Sequence, residues 1–310
     1  MENHEKNGMA SVIAALVANI LVAISKFIAF FVSGSTAMMN EAIHSIVDCG
    51  NQLLLLVGDK KSKRLASTTH PFGESRAKYF YSTIVAMMLF FGGGALGIME
   101  AVKKLGEPHH SVENPTVVLA VLLFGIIVEA FSLRVALKEI KVLNKDKLPL
   151  FKFLKESRHG EVIIIFAEDS CAVLGLLIAL IGTLLTMLTD NSIYDALSGL
   201  LIGIMLCVAA ILLAREFYGL LMGESVSESD LKIIESAFSN SNIDHIIDIK
   251  TIHLSAIDII ITAKISLIEN HTMKSSELVN HIERNIREQL SDKKCYIYIE
   301  IDDFDSNYQN

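Results

Sequence analysis

His44-Ser45-Ile46-Val47-Asp48 lies in the middle of an otherwise apolar run, Thr36 to Gly58. The histidine and the aspartate are four residues apart, so a helix puts both on one face, one turn apart. Glu41, three residues before His44, falls on the same stripe. The run is about long enough to cross a bilayer. There an ionisable side chain is expensive and marks a functional site by default. An imidazole nitrogen and a carboxylate oxygen aimed the same way are two of the ligands that Zn²⁺ or a similar ion takes. The competing reading is a structural ion pair, the ordinary one in a soluble helix. In lipid the chain has few other ways to satisfy two such groups.

The rest of the chain puts that run in a membrane. Of 310 residues, 52% are hydrophobic and 20% charged, with a mean hydropathy of +0.46. Soluble domains carry more charge and less apolar content. Six runs read as spans: about Met9 to Val32, Thr36 to Gly58, Tyr79 to Val102, Thr116 to Val135, Val162 to Leu188 and Ile193 to Leu213. Asn19 and Lys26 are polar exceptions in the first and Glu129 in the fourth. The first run is too long for a signal peptide, so it is expected to stay.

Basic residues set the expected orientation. The segment after span two holds Lys60, Lys61, Lys63, Arg64, Arg76 and Lys78, and the segment after span four is equally basic. The loops after spans one and five hold none. The positive-inside rule then puts both termini in the cytoplasm, and the expected location is a bacterial cytoplasmic membrane. Net charge −8 argues against a nucleic-acid partner. Cys49, Cys171, Cys207 and Cys295 are scattered without a CxxC, so neither a disulfide framework nor a cysteine zinc site is expected. No HExxH, GxSxG or nucleotide loop points to an enzyme.

From Glu224 onward the chain reads as soluble. Ser227 can cap a helix with Leu231, Ile234 and Phe238 on one face. Two strand-like runs follow, His245 to Leu254 and Ala256 to Leu267. A helix with Leu278, Ile282, Ile286 and Leu290 then precedes a strand at Tyr296 to Ile301. The expected fold is an all-α six-helix transmembrane domain over 1–223 plus a small α+β ferredoxin-like (αββαβ) domain over 224–310.

Span five carries adjacent acids, Glu168 and Asp169. Asp48 lies roughly 15 Å from the cytoplasmic end of span two, and Asp169 roughly 10 Å from that of span five, at 1.5 Å per residue. The two acidic sites can therefore meet in one plane. Neighbours in sequence point about 100° apart, so one acid can be a ligand while the other carries a proton or bonds another helix. A bond from Glu168 or Asp169 to Asn19, Asn40 or Asn51 is the structural alternative.

This layout resembles the cation diffusion facilitator family of divalent-metal transporters. The resemblance rests on six spans, cytoplasmic termini, His/acid pairs on spans two and five, the C-terminal domain, Gly34-Ser35, and the run His70-Pro71-Phe72-Gly73. It implies metal ligands at His44, Asp48 and Asp169. The position four before Asp169, where the family has His or Asp, is Ile165, and Glu168 is an added acid that could supply the missing oxygen. An acid directly before that aspartate resembles the branch that includes animal zinc transporter nine. Glu41 is a further candidate ligand, as is a loop site at His70 and Glu74, where Pro71-Phe72-Gly73 otherwise simply shapes a turn. His245, His253, His271 and His281 show no ligand spacing and read as surface residues. Arg76 resembles a family basic residue, with Glu224 as its candidate partner.

The resemblance implies metal/proton antiport, with Zn²⁺ the first expectation and Fe²⁺, Co²⁺, Ni²⁺, Cd²⁺ or Mn²⁺ behind it, no tightly bound cofactor, and a homodimer. The alternative is a non-transporting scaffold or metal sensor with a dimerising domain.

Overall fold

The computed structural model describes residues 19–106, 114–144, 147–156, 160–240, 242–255, 257–269 and 273–305. The first ten residues of the expected first span, Ala256 and His271 fall outside them. The chain divides into two compact units.

The larger unit is helical. Its elements are α1 (Asn19–Ser33), α2 (Thr36–Ser62), α3 (Ala77–Met88), a π-helical segment (Leu89–Ala95), α4 (Leu96–Leu105), α5 (Pro115–Leu143), α6 (Leu150–Glu156), α7 (Gly160–Thr189) and α8 (Ile193–Met222). α3, the π segment and α4 form one continuous helix. Four helices are long and apolar enough to cross a membrane: Ala77–Leu105, Pro115–Leu143, Val162–Thr189 and Ile193–Met222. α1 is a shorter apolar helix, and α2 carries Glu41, Asp48, Asp59, Lys60 and Lys61 among its apolar residues. The outside of this unit is apolar: Phe31 is 78% exposed, Ile127 and Phe131 each 70%. A surface like that is stable against lipid, not water.

Helix ends and crossings follow from small and polar residues. Gly34, at φ +63°, ends α1 in the left-handed conformation. Asp195, in the first turn of α8, then caps α2 from outside. It accepts from Ser35 Oγ and from Thr36 N, both at 2.5 Å, satisfying an end donor that would otherwise be orphaned. Lys104 Nζ donates to the Gly34 carbonyl. Gly94 of the π segment and Gly203 of α8 sit where two backbones nearly touch. A Cβ on Gly94 would lie 2.9 Å from Cys207 N, and one on Gly203 3.0 Å from Ile98 N. Asn40 fills the notch beside them, donating to the Gly199 carbonyl at 2.7 Å. Pro149 opens α6 rather than leaving a bare connector. Phe153 on α6 buries itself against Ile140 and Val162.

The smaller unit combines Ser62–Arg76 with the residues from Tyr218 onward. It contains α9 (Glu228–Ala237), β1 (Ile243–His253), β2 (Asp258–Leu267), α10 (Ser275–Gln289) and β3 (Lys294–Ile301), in the expected αββαβ order. Ser227 caps α9, its hydroxyl accepting from Asp230 N at 3.2 Å. The sheet is mixed, in the order β1-β2-β3, with β1 antiparallel and β3 parallel to β2. The parallel pair is joined through α10, a βαβ unit. Ile259, Ile261, Ala263 and Ile265 point into a core closed by Ile234, Phe238, Leu278, Ile282, Ile286 and Leu290. Ile257 precedes the strand and is exposed. The segment 62–76 is fastened to this unit. Ser75 Oγ donates to Asp258 at 2.9 Å, Arg76 Nη2 donates to the His253 carbonyl at 3.3 Å, and the Phe72 ring meets Tyr296 edge-on at 5.2 Å.

Candidate metal centre

The inward stripe of α2 carries the site. Asn40, Glu41, His44, Ser45 and Asn51 are buried, and the Asp48 side chain is 15% exposed. His44 Nδ1 and Asp48 Oδ1 lie 3.5 Å apart, the distance helical i, i+4 spacing allows. That is too long and ill-aligned for a hydrogen bond. His44 Nδ1, His44 Nε2 and Asp48 Oδ1 are all buried without a hydrogen-bond partner, as are Ser45 Oγ and Asn51 Oδ1. Buried polar atoms are nearly always satisfied, and each unpaired one costs about 1–3 kcal/mol. A run of them lies along one helix face. An imidazole with carboxylate oxygens suits a transition-metal cation better than Mg²⁺ or Ca²⁺.

α7 runs antiparallel beside this stripe. Asn51 Nδ2 donates to Glu168 Oε1 at 2.5 Å. Ten residues back along α2, Glu41 Oε1 lies against Gly175, where a Cβ would overlap it. These two contacts set the register and bring Asp48 level with Asp169 and Ser170. The Asp48 carboxylate is within Coulombic range of Glu168, Glu129, Lys26 and Asp169. Asp169 itself is turned to α5, accepting from Ser132 Oγ at 2.9 Å.

The expected residues therefore separate into groups. His44 and Asp48 stand together. Glu168 is engaged by Asn51, one of the asparagines named as its alternative partner, and Asp169 by Ser132. Among the described residues no three His, Cys, Asp or Glu side chains converge as a ready-made ion cage. Glu41 is drawn to a different partner: Lys26 Nζ donates to Glu41 Oε2 at 3.0 Å and lies 3.9 Å from Glu129 Oε1. In the loop, Glu74 pairs with Arg64 at 3.2 Å, and His70 is exposed, its carbonyl accepting from Ser67 N and Gly73 N. With Gly73 at φ +81°, that geometry is a turn. Arg76 takes the His253 carbonyl, while His253 N donates to the Glu224 carbonyl at 3.0 Å. His253 is buried, not a surface histidine, and its Nδ1 donates to the Ser255 carbonyl at 3.0 Å. The strand's period explains the difference: its ring falls on the covered face of β1.

Several functional neighbours escape a sequence reading. Ser132 is an ordinary polar residue in a long apolar helix, and nothing in its spacing assigns it to Asp169, whereas Asn51 is one of the three asparagines expected as partners of the acids. Lys26 and Glu129 were visible as polar exceptions, but their convergence on Glu41 depends on three helices meeting.

A bundle of apolar helices around a buried His/carboxylate stripe, with a small α+β unit attached, defines a multi-pass membrane protein of the cation-handling kind. The profile described as the cation efflux transmembrane domain matches residues 12–222. The chain belongs to the cation efflux, or cation diffusion facilitator, family. It is similar to metal tolerance protein C4 of Arabidopsis thaliana, at 28% identity over 81% of this chain and 55% of that protein. It is similar to the mitochondrial proton-coupled zinc antiporter SLC30A9 of Mus musculus, at 31% identity over 78% of this chain and 43% of that one. The chain thus spans about half the length of these two relatives. An uncharacterized transporter of Methanocaldococcus jannaschii aligns over nearly all of both chains, 94% and 97%, at 22% identity.

Proposed function

We propose that this chain moves a divalent transition-metal cation, Zn²⁺ first, across a membrane in exchange for protons. Six spans, α1, α2, α3–α4, α5, α7 and α8, form the transport domain over 1–223, and a ferredoxin-like domain over 224–310 joins two copies. β1 and β3 are the edge strands of its sheet, where a second copy would pair. Basic residues around 60–78 and after α5 put both termini on the cytoplasmic side.

The observation that carries the reading is the trio of buried, unpartnered atoms His44 Nδ1, His44 Nε2 and Asp48 Oδ1. They are the α2 half of the cation site. The α7 half is Asp169, with Glu168 beside it, and a cation drawn between the helices exchanges the Ser132 hydroxyl for itself at Asp169. Metal needs deprotonated ligands, so its arrival releases protons and their return expels it. Exporting a doubly charged ion alone against an inside-negative potential costs about 5 kcal/mol per 100 mV; returning protons offset this. The name of the SLC30A9 relative, a proton-coupled zinc antiporter, supports the same exchange.

The experiment is Zn²⁺ uptake into proteoliposomes with an imposed pH gradient. The unaltered chain is expected to transport in proportion to the gradient. Asp48→Ala and Asp169→Ala are expected to transport at background. Equal transport by either variant would overturn the site.

A further inference from the structure

One turn from His44, α2 carries a second buried charge cluster. Lys26, Glu41 and Glu129 come from α1, α2 and α5. Lys26 and Glu41 are fully buried, and the Glu129 side chain is 11% exposed. Glu41 Oε2 takes the ammonium, but Glu41 Oε1 is buried, unpartnered and directed at Gly175 on α7. The acid therefore stands between a lysine and the helix that bears Asp169. The Lys26 charge itself reaches His44 and Asp48. A lysine buried this completely is rare unless paired, and a structural pin between three helices could be made without charge.

We propose that Lys26 is a built-in counter-cation: it withholds the Glu41 and Glu129 carboxylates from the transported ion, and so determines which metals the adjacent His44/Asp48 site accepts. This rests on the transport reading above. With Lys26 in place, the ion meets one imidazole and the acids near Asp48, a borderline-soft donor set. Without it, Glu41 turns a free carboxylate toward a cation one helical turn away, and the set becomes richer in hard oxygen. Carboxylate-rich sites favour Mn²⁺ over what an imidazole site would choose.

The test is competitive calorimetry of Zn²⁺ and Mn²⁺ on the purified full chain in detergent, unaltered and as Lys26→Met, Lys26→Met/Glu41→Gln, Glu41→Gln and Asp48→Ala. Lys26→Met keeps the stem and removes the charge. It is expected to raise Mn²⁺ affinity relative to Zn²⁺ by about ten- to hundredfold, the range over which groups just outside a ligand set act. Adding Glu41→Gln is expected to return the ratio to that of the unaltered chain. An unshifted ratio in Lys26→Met, or a double variant still shifted, overturns the proposal, since a purely structural lysine would lower all affinities together. Should Lys26→Met fail to fold, Glu41→Gln decides: the parent ratio supports a withheld carboxylate, and a changed ratio shows that Glu41 already serves the ion. If Asp48→Ala binds Zn²⁺ as tightly as the unaltered chain, the transport site itself is wrong and the inference falls with it. Loss of Zn²⁺ binding in Asp48→Ala beside an unshifted Lys26→Met sinks the inference alone.

Discussion

Two buried charge clusters share the inward face of α2, a single turn apart, and they are built differently. At Glu41 the carboxylate meets a lysine of the same chain at 3.0 Å. At His44 and Asp48 three polar atoms are buried with no hydrogen-bond partner, while the acids of α7, Glu168 and Asp169, meet an asparagine and a serine. The first cluster carries its own counter-charge, although Glu41 Oε1 is left without a hydrogen-bond partner. The second, in the transport reading proposed above, is assembled from groups that a mobile cation would complete. The contrast teaches that burial alone does not mark an ion site; the local balance of charge does. It also separates Glu41, indistinguishable from His44 and Asp48 by position on the helix, from that pair: α1 and α5 bring Lys26 and Glu129 to it.

The comparison can be broken at either end. Its largest expected effect is at the His44/Asp48 cluster: Asp48→Ala or Asp169→Ala should weaken Zn²⁺ binding by at least about 100-fold, beyond what groups outside the ligand set contribute. Isothermal titration of the purified chain measures it. Acid should act at the same place. Ligand protonation competes with metal, so Zn²⁺ affinity should fall by about tenfold per pH unit for each proton displaced, as pH drops. A pH-independent affinity would show that the ion binds elsewhere.

At the Lys26/Glu41 cluster the effect should be on stability. Removing one partner of a buried pair costs about 3–5 kcal/mol, whereas replacing the whole set with apolar side chains is often neutral. Lys26→Met should therefore lower the thermal midpoint clearly. Lys26→Met/Glu41→Met/Glu129→Leu should recover most of the loss. A triple variant as unstable as the single one would mean that the charges hold the helices together by more than mutual neutralisation.

A smaller loss is expected at the cap of α2. Asp195→Asn weakens two charge-assisted bonds, at Ser35 Oγ and Thr36 N, worth about 1.5–3 kcal/mol apiece at most, and should leave the Mn²⁺ to Zn²⁺ ratio untouched. The smallest is in the other unit. The Lys264 ammonium, bonded at 2.5 Å, holds the exposed Asp302 carboxyl below its ordinary value. Any stability it lends is present above the unfolded value and is lost as pH falls through the folded one. Lys264→Gln should move the Asp302 titration back up, read by NMR, with no effect on metal binding.

Much of the architecture was legible because hydrophobic patterning is local. Long apolar runs became helices, though α5 and α8 run on eight and nine residues past the expected ends at Val135 and Leu213, and the alternation at Ile259, Ile261, Ala263 and Ile265 became the covered face of β2. The i, i+4 pair His44/Asp48 was legible for the same reason: one helix decides it. What could not be read was every choice between helices. Asn51 selects Glu168, Ser132 selects Asp169, and Lys26 selects Glu41 only after packing sets which faces meet. The π segment is a further case. Nothing local in Leu89–Ala95 announces a π-helical turn, and the neighbours of Gly94, Cys207 and Gly203, lie on a helix more than a hundred residues away.

The most direct measurement is anomalous scattering at the zinc edge from the chain crystallised with Zn²⁺. The account predicts a peak about 2.0–2.2 Å from a His44 ring nitrogen and from oxygens of Asp48 and Asp169, with Lys26 still on Glu41. A peak between Glu41 and Glu129, or at His70 and Glu74 with none at His44, would contradict it.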